Sequence, residues 1–270
     1  MSARTLGALA IIVFTWATSA SAQLYPSTPV PRSTAPAALH DAAVDRAIRE
    51  RFALGLAALS NGKNEDAAAE FTAVLALRPR EPQGSTAHYD LALAQVALGR
   101  LDVAASEFRS AIALDPGFLA AMANLIAVDL RRGDLREART VGERFVTLAP
   151  DSARALYSRG VVALQAGDAA RAADDFGRLV ANNPSYALAH VELAKAELQL
   201  NDPARAERES LEALRLAPNY AYARFVLGTI LLHEGRRDEA RNAFDRAARD
   251  AAGDAQLQNL AYSMRDAIGH

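Results

Sequence analysis

Five histidines, His40, His88, His190, His233 and His270, are the side chains of this sequence best suited to metal binding or proton transfer. Imidazole titrates near neutrality and ligates through either ring nitrogen. None has the company such chemistry needs. His233 precedes Glu234, yet no second histidine lies one helical turn away, so the two-histidine zinc pattern is missing. Asn61-Gly62-Lys63 lacks the flanking glycines of a phosphate loop and reads as a helix-ending turn. Asp174 and Asp175 could form an acid–base pair, but their place on a helix makes them read as solvated face. No serine elbow or dinucleotide fingerprint occurs. With no cysteine there is no thiol nucleophile, disulfide or lipid attachment at cysteine. The residues predict no catalytic group, no metal site, no cofactor and no enzyme.

What the sequence does carry is a period. Pro82, Pro116, Pro150, Pro184 and Pro218 stand 34 residues apart, as do Ala104, Ala138, Ala172, Ala206 and Ala240. Gly99, Gly133, Gly167 and Gly235 keep the same phase. Turn-formers at fixed phase mean that one structural unit is copied and stacked. Residues 85–118 show its content. Leu91, Ala94, Val96 and Leu98 recur at helical spacing until Gly99, which can close a helix in the left-handed conformation. Ala104, Phe108, Ala111 and Ile112 make a second apolar stripe, which Pro116 stops. The unit is a pair of helices.

This pattern resembles the tetratricopeptide repeat. Repeat two supplies Leu91, Ala92, Gly99, Ala104, Phe108, Ala111 and Pro116; repeat six supplies Leu227, Gly228, Gly235, Ala240, Phe244 and Ala247. Repeat four keeps Gly160, Gly167, Ala172, Phe176 and Pro184, with Arg159 in place of a leucine. Repeat five has Asn201 at the turn glycine, and repeat three has Gly142 where a large aromatic is expected. Repeat one falls into phase on Pro79, with Leu54, Gly55, Gly62, Ala67 and Phe71. The resemblance implies an all-α, right-handed superhelical solenoid. Its six helix pairs cover about 48–81, 85–118, 119–152, 153–186, 187–220 and 221–254. Residues 255–270, with Leu257, Leu260, Met264 and Ile268 on one stripe, read as a capping helix.

The resemblance also implies a concave groove lined by the first helix of each pair. Carried onto this sequence, its lining includes Phe52, Tyr89, Leu93, Asn124, Arg131, Arg154, Tyr157, Val161, Lys195, Tyr222 and Phe225, with Arg49 and Leu56 beside them. Tyr89, Tyr157 and Arg154 form the expected centre, because aromatic and arginine side chains dominate interface hot spots. His88 and His190 share the fourth position of their repeats and read as packing histidines.

Residues 1–22 read as a secretory signal peptide: Arg4, an apolar run from Leu6 to Ala17, then Ala20-Ser21-Ala22. That run is too short to span a bilayer comfortably, although an uncleaved inner-membrane anchor is the alternative. Residues 23–37, with Pro26, Pro29, Pro31 and Pro36, read as a Pro/Ser/Thr-rich linker. A net charge of −2 argues against nucleic acid, which needs a basic footprint. The expected protein is periplasmic or secreted and binds a protein or peptide, with no membrane span in the mature chain. Two roles are open: a scaffold for envelope assembly or complex maturation, or an accessory subunit recruiting substrate. The second would serve a separate enzyme or export machine, as in cytochrome maturation, polysaccharide export or peptidoglycan work.

Overall fold

A computed structural model describes residues 42–268. The expected signal peptide and linker, His40 and His270 lie outside the described residues. The described chain is helical throughout and divides after Pro150 into two units. The first holds α1 (Ala42–Ser60), α2 (Asn64–Ala76), α3 (Gln83–Ala97), α4 (Leu101–Leu114), α5 (Leu119–Arg132) and α6 (Leu135–Leu148). The second holds α7 (Ala153–Gln165), α8 (Ala169–Asn182), α9 (Ala187–Gln199), α10 (Pro203–Leu216), α11 (Ala221–His233), α12 (Arg237–Asp250) and α13 (Ala255–Ala267). Six helix pairs and a final helix make up the all-α repeat fold that the periodicity implied.

Each pair turns on a residue in the left-handed region. Gly133, at φ 77°, closes α5, and Asn201 does the same work after α9 at φ 62°. Asparagine tolerates that conformation better than other side chains, which is why the period survives without glycine there. Three of the second helices then start on an aspartate that recurs every 34 residues. Asp134, Asp168 and Asp202 each accept from the backbone N–H three residues on, at 3.1, 3.2 and 3.0 Å. Such a cap stabilises a helix by about 1 kcal/mol.

The pairs close on small residues facing large ones. Ala67, Ala104, Ala138, Ala172, Ala206 and Ala240 are all fully buried, and so are Phe71, Phe108, Phe176 and Phe244. At Gly55, Gly160 and Gly228 an added Cβ would meet the ring of Phe71, Phe176 or Phe244 at 2.7, 2.7 and 2.8 Å. In these three pairs the glycine leaves the space that the phenylalanine fills. In the third pair the sizes are exchanged in register: Ile126 stands where the glycines stand, and Gly142 where the phenylalanines stand. The absence of the expected aromatic at 142 is thus matched by added bulk on α5.

Asp175 corrects the sequence reading. It is fully buried rather than solvated, and Arg159 donates to both its oxygens, at 2.9 and 2.6 Å. The arginine that replaces the usual leucine therefore has its own counterion on the facing helix. Asp174 alone is exposed. Related ties recur between the paired helices: Arg51–Glu70 at 2.9 Å, His88–Glu107 at 2.6 Å and His190–Glu209 at 2.6 Å. Each joins residues 19 apart. The two histidines are thus anchored to carboxylates as well as packed.

Helix α13 lies against α12, burying Leu257, Ala261 and Met264. Gln258 donates to the Ala248 carbonyl at 3.0 Å and Arg265 pairs with Asp245 at 3.1 Å. No described helix is long and apolar enough to cross a membrane.

Candidate interaction surface

The first helices α1, α3 and α5 give the first unit a distinct face. Arg49, Phe52 and Leu56 are spaced i, i+3 and i+7 along α1, so they share one side of it. Leu56 is 48% exposed, while Phe52 is half-buried with its edge toward Phe71, ring centroids 6.0 Å apart. Leu93 on α3 is half-buried, and Arg131 in the last turn of α5 is exposed.

Two residues expected on this surface do something else. Tyr89 is fully buried, 4.8 Å from the Phe118 ring and 5.7 Å from that of Phe108. Asn124, also buried, donates to the Tyr89 hydroxyl at 2.9 Å. The two polar groups satisfy each other between α3 and α5, which is a packing role. Tyr89 is not displayed to a ligand, because Phe118, outside the pattern read from sequence, covers its ring.

In the second unit the corresponding side chains are mostly closed over. Val161, Lys195, Tyr222 and Phe225 are buried; Arg154 and Tyr157 are half-buried, with Tyr157 edge-on to Phe176 at 6.0 Å. Phe225 packs on Phe244 at 5.3 Å. Lys195 donates to Glu192, itself buried, at 2.6 Å, and sits 5.6 Å from the centre of the Tyr222 ring. Burial alone would lower the ammonium pKa, but the Glu192 carboxylate outweighs it and holds Lys195 above its ordinary value. Burial likewise raises the phenols of Tyr222 and Tyr220. Lys195 is therefore paired inside the fold rather than a cation offered to solvent. Nothing in its sequence position signalled the pairing except Glu192 one turn earlier.

The tetratricopeptide repeat profile matches residues 52–117, 128–187, 162–220 and 191–255. The chain belongs to the tetratricopeptide repeat family. Solved structures give the same fold. A tetratricopeptide repeat protein from Parabacteroides merdae is 16% identical with a TM-score of 0.68, covering 83% of this chain and 94% of that one. PilF of Pseudomonas aeruginosa is 21% identical with a TM-score of 0.61, covering 82% and 99%. The MamA protein is 23% identical with a TM-score of 0.54, covering 64% and 94%. At such identities the likeness is one of fold. A search of functionally curated proteins finds no match. Tetratricopeptide repeat proteins are generally non-catalytic scaffolds for other proteins, and the family assignment makes a protein partner the expected ligand.

Proposed function

We propose that this tetratricopeptide repeat protein is an exported, non-catalytic scaffold that holds a segment of a partner protein in envelope assembly or complex maturation. The partner is held on the α1–α3–α5 face of the first unit. The observation carrying the reading is the exposure of Leu56, 48%, beside half-buried Phe52 and Leu93. Apolar side chains left open on the face of stacked first helices are what an incoming segment can cover, at about 25 cal/mol for each Å² buried. The positions of the second unit equivalent to Leu56 and Leu93 support the choice by contrast, since Val161 and Lys195 are buried and Thr229 is half-buried.

Export rests on the leader-like residues 1–22. N-terminal sequencing of the mature protein is expected to read from Gln23; a membrane-bound product that keeps Met1 would overturn it. The docking face is tested by affinity capture from envelope extract with the full chain and with Leu56→Asp and Leu93→Asp. The reading expects a partner held by the wild type and lost from both variants while their helicity is unchanged. Equal capture by all three would overturn it.

A further inference from the structure

We infer that the segment taken by the α1–α3–α5 face is apolar at its centre and acidic at its flanks; this rests on the docking face proposed above. The face is apolar in its middle and cationic at its ends. Leu56 and Leu93 lie between Arg49 on α1 and Arg131 in the last turn of α5, and Arg46 stands one turn before Arg49. All three arginines are exposed, and none forms an ion pair among the described residues. Other arginines of the same unit are engaged: Arg51 with Glu70 at 2.9 Å, Arg100 with Glu65 at 2.5 Å, and Arg132 with Asp102 at 2.8 Å. Lys63, Arg78, Arg109, Arg136 and Arg139 of this unit form no ion pair among the described residues either; what sets Arg46, Arg49 and Arg131 apart is their place at the two ends of the open apolar patch.

The acids near this face do not neutralise them: Asp45 and Glu50, one helical turn from Arg49 and Arg46, form no ion pair among the described residues. Asp90 on α3 is 2% exposed and held by interactions within the protein. A ligand that covers Leu56 and Leu93 brings its ends to guanidinium groups with unfilled donors. Carboxylates there gain charge-assisted hydrogen bonds, and arginine takes them in a two-pronged geometry. Basic flanks on the ligand would meet like charge, which makes the arrangement selective as well as attractive.

The test is selection of a random peptide display library on the full chain, followed by binding measurements with the most enriched peptide. The inference expects Asp or Glu on both sides of an apolar stretch, and affinity falling about ten-fold or more from about 50 to about 500 mM salt. The pair Arg49→Glu and Arg131→Glu is expected to weaken that peptide at least ten-fold, and a peptide with its acids changed to lysine should bind the reversed protein better. Both substitutions lie at exposed positions, and helicity and melting confirm the fold. Enriched peptides without acidic flanks, whose binding is lost in Leu56→Asp but not in the arginine pair, would overturn the charge assignment and leave the docking face standing. Binding undisturbed by Leu56→Asp would overturn the docking face itself.

Discussion

Asp129 on α5 is fully buried, with Oδ1 accepting from Arg132 at 2.7 Å and Oδ2 without a hydrogen-bond partner among the described residues. Burial pushes its pKa from 3.8 up to about 6, against the pull of Arg132 and with a small further push from Asp134 and Glu137. The sign follows from linkage. A carboxyl raised on folding binds its proton more tightly in the native state. Its neutral form therefore supports the fold fully below pH 3.8, and that support is lost as pH rises through about 6. At about 1.36 kcal/mol per unit, a charged Asp129 costs the fold about 3 kcal/mol at neutral pH. Asp129→Asn removes that cost and also the ionic bond to Arg132, which keeps Asp102 at 2.8 Å, so a net gain of about 1–2 kcal/mol is expected at pH 7.5. The assay is urea unfolding of both proteins from about pH 4 to pH 8, reading the difference between them, because other carboxylates titrate equally in each. The difference should grow toward the variant as pH rises and level off above 7. A difference that stays flat across this window, or a variant less stable at pH 7.5, would refute the reasoning.

Asp175→Ala leaves half-buried Arg159 without this counterion and should cost about 3 kcal/mol, whereas replacing both by leucine should recover most of it. A silent Asp175→Ala in thermal unfolding would show that the pair is not buried in solution. Gly160→Ala places a methyl group 2.7 Å from the Phe176 ring and should cost about 1–3 kcal/mol by calorimetry. Ending the chain after Gly253 removes the side chains of Leu257, Ala261 and Met264 that cover α12. Lower melting and self-association on a sizing column are expected, and a monomer of unchanged melting would contradict the capping role.

The period, the turns and the small-to-large packing were legible in the sequence because each is local. A glycine at fixed phase, an alanine column and a helix-stopping proline need no knowledge of distant residues. Even the exceptions have local reasons, as with Asn201 at a left-handed turn. The charged core was not legible. Arg159 looked like a lapse from the pattern and Asp175 like surface, because their pairing depends on two helices facing each other across 16 residues. Tyr89 was misjudged for a similar reason. Its ring is covered by Phe118, which belongs to the next turn of chain, and its hydroxyl by Asn124, 35 residues on. On the candidate surface, Leu56 and Leu93 were placed by repeat register, but only the fold separates them from equivalent positions that are closed, Val161 and Lys195.

A partner held by the first helices must touch the first unit at α1. A photo-reactive amino acid at position 56 places the probe at the open leucine of α1, and one at exposed Leu114, on α4, serves as the comparison. Irradiation of cells producing each full-length variant should give a discrete crosslinked partner from position 56 and none from position 114. A partner crosslinked from 114 and not from 56 would contradict the claim that the first helices hold it.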